Sequence, residues 1–574
     1  MKLTPQKAVK SIAIIVLLLF EQSYAFTPVP SSVQPGRVGQ SIIKKPSPQR
    51  RLSGPSLTPP PAQPPFPPEV AAIRFKLNAI VFEGNTLYSN EALLALFQKP
   101  MGSMVTLGDI QKLATDISFK YNEAGYLLSQ AVIPEQQITK GVIRIKIIEG
   151  FITKINVQGD VPEHTKALML QYGNKILNKR PLNIRELESA LLLAGDLPGM
   201  TVRSVITPSK TVENAADLTL LVSFDRMDNT SYITYDDRGT RYIGPTRAIV
   251  SAFLNDTHLG SGSATGVRLA DSGRQWEQMR YVEVEHKQYL GTNGFMLDFD
   301  TQYTRTNPGF LLQGTNTIGI NGFYQVSAQY PLIRQRSQNL SVNAAVAEIN
   351  SFLTQFDTKI YNDQIRTVQL GLQYDSADQY RGSNQLNAFL TQGIDAFGAS
   401  QPGNLVSRIG AKPSFSKFNL SGGRLQGLFG PFSALLGGSG QYATNTMYSY
   451  EQLGYGGLPF GDAYDPSEIV GDRGIEAKLE LRADSNFPWT SIPTQYFVYY
   501  DGGVLWNFDH INQPGRQCGT STGVGLRSFA FNHVNLSLEL AKPLNRDVAA
   551  TAAIPGGGEN PRAWRGFFSI NLMP

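Results

Sequence analysis

Side chains capable of covalent or metal chemistry are few in this sequence and far apart. The five histidines, His164, His258, His286, His510 and His533, form no H-E-x-x-H or similar pair, and each reads as structural. Cys518 is the single cysteine, which excludes an intrachain disulfide framework and any multi-cysteine metal site. Asp236-Asp237 could begin a cation site, but reads as the polar lining or rim of a strand. There is no G-x-S-x-G elbow and no phosphate loop. The expectation is a protein that is no enzyme and takes no cofactor or metal. The chemistry that remains is electrostatic. Lys478, Glu480, Arg482 and Asp484 alternate with Ala477, Leu479, Leu481 and Ala483, so the charges share one strand face and the apolar residues the other.

The same alternation runs through residues 228–574. Phe295, Leu297, Phe299, Thr301 and Tyr303 share a face, opposite Met296, Asp298, Asp300 and Gln302; Leu536, Leu538 and Leu540 alternate with Ser537 and Glu539. A soluble sandwich would alternate too. A single block of nearly this length, with few charges on its apolar faces, fits a transmembrane antiparallel β-barrel better, lipid outside and a polar lumen inside. At ~9–11 residues per strand plus turns, residues 227–574 make about 16 strands.

The chain has 574 residues, 41% of them hydrophobic, and a net charge of +5. Much of the basic excess lies in residues 1–51, so no nucleic-acid surface is read from it. Lys2, Lys7 and Lys10 precede the apolar run Ser11–Phe20, and Ser23 and Ala25 stand at the −3 and −1 positions of a cleavage site. Residues 1–25 therefore read as a signal peptide. Thirteen prolines lie between Pro28 and Pro68, which makes residues 26–72 a linker with no core, although Val38–Lys44 could form a turn or two of helix.

Residues 73–150 read as a βααββ module. A strand at Phe75–Phe82 turns at Gly84-Asn85, Ser89 caps a helix, and a second helix from Thr106 to Tyr121 carries Ile110, Leu113, Ile117 and Tyr121 at helical spacing. Residues 151–226 repeat the order.

In these motifs the chain resembles the outer-membrane component of two-partner secretion systems, the haemolysin secretion/activation transporters of the Omp85 group. Ile80-Val-Phe-Glu-Gly-Asn85, Tyr121-Asn-Glu-Ala-Gly-Tyr126 and Val142–Gly150 resemble a POTRA domain, and residues 151–226 a second one. Tyr232–Arg241 and Tyr242-Ile-Gly-Pro245 resemble the entry strand and first turn of the barrel. Gly456–Gly474, followed by Glu480-Leu-Arg482, resembles the long sixth loop that folds back into the lumen, here near residues 454–476. Tyr499-Tyr-Asp501-Gly-Gly503 resembles the F-x-D-x-G strand motif.

The resemblance implies periplasmic POTRA domains on an outer-membrane pore that captures an unfolded exoprotein, adhesin- or haemolysin-like and β-helical, and secretes it. It implies outer-membrane lipid and lipopolysaccharide as surroundings, and barrel-assembly machinery during biogenesis. A barrel assembly factor, which usually carries more POTRA repeats, and a passive porin, which lacks them, are the rival readings. The implied lock between loop and barrel comprises Asp462, Tyr464, Gly471, Asp472, Arg473, Gly474, Glu480, Arg482, Asp501 and Gly503. Two departures stand out. The family's loop tip carries Arg where this chain has Asp462, and facing Asp501 that would oppose like charges. Arg473 is then expected to hold a lumen carboxylate, and Asp462→Arg to be tolerated. The last strand ends on Pro574 where an aromatic is usual. In the first module, the free sheet edge with Leu113, Ile117 and Tyr121 would form a client-binding groove, unless those side chains are core.

Overall fold

The computed structural model describes residues 29–42, 66–227, 231–256, 262–273, 277–486, 488, 490–509, 513–530, 533–554 and 559–573. The signal-peptide reading, Pro574, His258 and His510 fall outside these residues. A helix α1 (Pro35–Ile42) comes first. The first module has β1 (Ala79–Glu83), α2 (Asn90–Leu94), α3 (Leu107–Glu123), β2 (Gln130–Val132) and β3 (Val142–Ile148); β3 is central, parallel to β1 and antiparallel to β2. The second has β4 (Ile152–Gln158), α4 (Glu163–Asn174), α5 (Ile184–Gly195), β5 (Met200–Pro208) and β6 (Ala216–Phe224), in sheet order β4-β6-β5.

Helix α3 starts where the sequence says it should. Thr106 and Asp109 form a capping box, satisfying donors that the first turn leaves free. Its apolar stripe faces the sheet, and Leu113, Ile117 and Tyr121 are only 2%, 0% and 0% exposed. The client groove expected on these three side chains is thus absent; they are core. Tyr121 has a second task. Its hydroxyl donates to Glu149 at 2.8 Å, and the same carboxylate accepts from Thr86 N at 2.7 Å, Leu87 N at 3.0 Å and the Thr86 hydroxyl. This closes the turn after β1.

Sixteen antiparallel strands then close a barrel: β7 (Tyr232–Asp236), β8 (Arg247–Asn255), β9 (Ser263–Ser272), β10 (Met279–Leu290), β11 (Phe295–Thr306), β12 (Ile318–Arg334), β13 (Gln338–Gln355), β14 (Thr358–Ala377), β15 (Gly382–Gly393), β16 (Ser416–Gly427), β17 (Phe432–Ala443), β18 (Arg473–Asn486), β19 (Pro493–Trp506), β20 (Arg516–Ala530), β21 (Val534–Pro543) and β22 (Arg565–Leu572). Its burial is that of a soluble protein turned inside out. Leu479 and Leu481 are each 48% exposed, whereas Glu480 between them is 1% and Lys478 before them is 8%. An exposed apolar belt around buried charges is the signature of a barrel in lipid. The seam between β22 and β7 has four register pairs, and Asp237 reinforces it by accepting from Phe568 N at 2.7 Å.

The second module is braced under one side of the barrel. Arg334 forks onto Asp196, Arg336 meets Glu188 at 2.9 Å, and Lys175 donates to Thr292 O at 2.6 Å. These contacts reach the turns after β10 and β12, so the modules lie at the barrel end where those turns sit.

Glu149 makes the first module sensitive to acid. Burial raises its pKa, but the hydrogen bonds from Thr86, Leu87 and Tyr121 together lower it below the usual carboxylate value. A depressed folded pKa means stability present above the unfolded value and lost as pH falls through the folded one. Glu149→Gln should therefore destabilise the module by about 1–3 kcal/mol at neutral pH, with the difference from wild type shrinking below the carboxylate range. Hydrogen exchange of α3 amides in the intact chain, followed against pH, checks this.

Candidate functional site

The lumen is filled from two directions. From the far mouth, residues 444–472 between β17 and β18 fold back inside, carrying a small hairpin whose strands are Leu453–Tyr455 and Ile469–Gly471. From the N-terminus, α1 lies against β11 and β12.

The tip of the inserted loop is held by charge, though not by the expected cation. Asp462 lies inside the barrel, 1% exposed, and its carboxylate is ion-paired with Lys478 of β18. Arg238, just past β7, donates to Asp462 O at 3.3 Å and binds Glu539 at 2.5 Å; Tyr499 donates to that glutamate at 2.7 Å. Arg565 of β22 holds Ala463 O at 2.7 Å and Asp465 at 2.8 Å. The tip is thus tied to β18 and to strands on either side of the seam. Glu480 stands below, accepting from Arg482 at 2.7 Å and Arg527 at 2.8 Å.

Asp501 does not face Asp462 alone. It accepts from the Tyr455 hydroxyl at 2.6 Å and from Ser521 at 2.8 Å, and its register partner on β18 is Lys478. Tyr455 fits because Gly503 and Gly519 are cross-strand neighbours; a Cβ on either would stand 2.6 or 2.5 Å from its ring. Tyr464 donates to Thr520 O at 3.0 Å. Gly471 and Gly474 pack against Leu505 where the loop turns into β18.

Arg473 is not the lock. Its Nε donates to Ala443 O at 2.9 Å, and its guanidinium lies 4.3 Å from the centre of the Tyr442 ring and 4.4 Å from that of Phe508. The first residue of β18 sits at the rim, with its side chain on the outer face beside exposed Tyr442. Its neighbour Asp472 does the work at the mouth. That fully buried carboxylate pairs with Arg408, from the loop after β15, and accepts from Met447 N at 2.9 Å and Phe508 N at 2.8 Å. One side chain joins three loops.

Sequence reasoning missed Lys478, Arg238, Tyr455, Arg408 and Arg565 as lock residues. Lys478 had a signal: alternation puts it on the wet face with Glu480. The loop motif offers its own cation in Arg473, which masks that signal.

The proline-rich segment also differs from the expected tether. Pro35 occupies the first helical position, where its missing N–H costs nothing. Val33, Val38 and Ile42 pack on Tyr242, Ile249, Met279 and Tyr281. Gln40 donates to Tyr450 O at 3.2 Å, and Ser31 to Ser467 O at 2.6 Å. Gly36 and Gly39 allow the close fit; a Cβ on Gly36 would collide with the Tyr450 ring, and one on Gly39 would stand 2.6 Å from Thr304 Oγ1.

Of the remaining candidates, Asp236 pairs with Arg247 at 2.9 Å, His164 with Asp256 at 2.7 Å, and His286 with Thr265 at 2.8 Å. Among the described residues no group of three His, Cys, Asp or Glu side chains is placed to hold a metal.

A sixteen-stranded barrel with a loop locked in its lumen and two βααββ modules at one end defines an outer-membrane transporter of the Omp85 type. Residues 233–527 match the family described as "Haemolysin secretion/activation protein ShlB/FhaC/HecB", and residues 75–150 match the ShlB-type POTRA domain. The chain belongs to that family and is a two-partner secretion transporter of the bacterial outer membrane, its POTRA modules in the periplasm. It is 21% identical over 483 residues to the heme/hemopexin transporter protein HuxB of Haemophilus influenzae, covering 82% of this chain and 83% of that one. It is 22% identical over 452 residues to the outer membrane transporter CdiB of Dickeya dadantii, covering 75% and 76%. The solved structure of CdiB from Escherichia coli superposes with a TM-score of 0.69 at 17% identity, covering 100% of this chain and 99% of that one.

Two outcomes follow from the lumen. Removing either partner of the buried pair, by Asp462→Asn or Lys478→Met, should cost about 3–5 kcal/mol and lower the temperature at which the barrel loses its heat-modifiable migration. Asp462→Arg, contrary to the sequence expectation, should be worse, since it adds a cation beside Lys478 and Arg238; Arg473→Ala should cost only about 1 kcal/mol. Separately, Gly36→Leu should unseat α1 and raise single-channel conductance in planar bilayers, matching a variant that lacks residues 29–42.

Proposed function

We propose that this transporter captures an unfolded exoprotein at the free sheet edge of its second POTRA module and passes it through the lumen to the cell surface. Residues 73–150 and 151–226 serve as the two POTRA domains and 227–574 as the pore.

The observation that carries the reading is the orientation of β5. Ser209 N donates to Ala215 O and Asp225 N to Gly199 O, both at 2.9 Å, which sets the phase of the β5–β6 ladder. Arg203, Val205 and Thr207 exchange bonds with β6, so Val202, Ser204 and Ile206 aim their N–H and C=O groups away from it. No strand pairs with that side among the described residues. These residues line a cavity of about 1350 Å³ that runs from the module to the inner wall of the barrel. An extended chain can add there as a further strand, and backbone pairing reads unfolded polypeptide rather than sequence.

One named relative is a heme/hemopexin transporter protein, and an adhesin- or haemolysin-like cargo fits the same machinery here. The outer membrane offers neither ATP nor a useful gradient, so folding of the cargo outside drives its passage. Lipid and lipopolysaccharide surround the apolar belt, and barrel-assembly machinery engages β22 during biogenesis.

Culture media of cells with and without the transporter identify the exported protein. Ser204→Pro removes one outward N–H without touching the bonds to β6, a substitution that edge strands accommodate. It should cut appearance of that protein in the medium about tenfold, as expected when a backbone donor is lost from each encounter, while the barrel stays folded. Unchanged export would refute capture at β5.

A further inference from the structure

We infer that the inner wall formed by β12–β17 is the track along which the exported chain moves, and that it is built to be neutral. This rests on the transport reading given above and assigns its path.

The register fixes which side chains face inward. On β12–β17 they are chiefly amides, hydroxyls and small residues, among them Gln329, Asn343, Gln373, Asn387, Ser421 and Ser439. Gly371 makes room for the ring of its cross-strand partner Phe389. Charges on this wall stand toward the strand ends. Asp363 and Lys417 lie near the far mouth, where Lys417 pairs with Glu451 at 2.5 Å, and Arg334 and Asp375 lie near the modules, where Arg334 holds Asp196.

The opposite wall is different in kind. β18–β22 and β7–β11 turn Lys478, Glu480, Arg482, Asp501, Arg527 and Glu539 inward, with Arg247, Arg268, Glu283 and Asp300 beyond the seam. The loop tip takes its ion pairs from this side, through Lys478, Arg238 and Arg565. The lumen is therefore divided lengthwise into a wall that holds the loop tip by charge and a wall whose one ion pair to the loop, Lys417–Glu451, lies at the far mouth.

Physical chemistry favours the second as the path. An extended polypeptide needs substitutes for its lost water hydrogen bonds, and amide and hydroxyl side chains offer both donors and acceptors. A fixed charge in a confined lumen would trap side chains of opposite sign and repel those of like sign. A neutral wall passes a cargo of either sign. The wall also begins where capture ends. The cavity that β5 opens into is bounded on the barrel side by Met296, Gln329, Ser341, Gln373, Gln385 and Asn387, all inward-facing and mostly on the neutral wall. Helix α1 lies at the edge of the far half of this route, over Asn321 of β12 and Thr304 of β11.

The test places a photo-crosslinking amino acid, one position at a time, at Asn343, Asn387 or Ser421 on the neutral wall, and at Ser251, Ser537 or Ser569 on the other. The probe is the protein that disappears from the medium when the transporter is deleted. In exporting cells its adducts should be several-fold more abundant at the first three positions. Equal yields, higher yields at the second three, or no adduct at either set while export continues would overturn the track. Media that do not differ between transporter and deletion strains would instead overturn the transport reading itself. As a second measurement, Asn387→Lys and Asn387→Glu should each slow release about tenfold, the factor given by 1.4 kcal/mol of added barrier, with heat-modifiable migration retained. Unaltered release from both variants would count against the neutral track.

Discussion

Lipid leaves the backbone no partner but itself. Every N–H and C=O in the hydrocarbon layer has to pair within the protein, and a sheet meets that demand only by closing. Closure by sixteen strands settles much of the rest. It assigns alternate side chains to lipid and lumen, and so produces an exposed Leu479 beside a buried Glu480. It also encloses a space too wide for the strands' own side chains to fill. That space admits loop 444–472 and α1, and the charges that alternation sends inward become the fixtures that hold them.

The same requirement explains why free edges lie where they do. A sheet edge is a hazard in lipid and an instrument in water. The barrel has no edge, whereas each POTRA module keeps a three-stranded sheet whose outer strands are paired on one side. The β5 edge sits close to the pore because Arg334 and Arg336 brace the second module under the turns after β10 and β12. Placement follows from a few ion pairs at the rim, and the backbone does the recognising.

What could be read beforehand divides along physical lines. Alternation with a period of two showed the barrel, since lipid and lumen impose it on every strand. Helical spacing located α3, with its cap at Thr106, but could not say whether Leu113 and Ile117 faced core or client; both faces of that choice are apolar. The turn or two of helix expected at Val38–Lys44 is there as α1, but it starts earlier, at Pro35, and its seat on the barrel wall was not legible, because it depends on Gly36 and Gly39 meeting side chains far away in sequence. The lock was half legible. Its loop and strands announced themselves by motif, yet its pairings depend on which strands neighbour one another in space. Arg238 meets Glu539 only because the barrel closes β7 onto β22, next to β21.

The lock's chemistry suits a part that sits in a pore. Asp462 and Lys478 are costly to bury and cheap to hydrate, so their pairing is strong in a dry, filled lumen and weak in a wet one. An apolar contact of equal size would behave the opposite way, gaining from every water expelled. With Lys478 on the strand and Asp462 on the loop, the loop's hold therefore depends on how full the lumen is. Helix α1 and the turn before it are part of that filling: Ser31 of the turn bonds to Ser467 and Gln40 of the helix to Tyr450, both in the inserted loop. Departure of residues 29–42 would remove both bonds directly and admit water to the pairs behind them. Helix, loop and ion pairs thus form one closure, in which each component keeps the others dry.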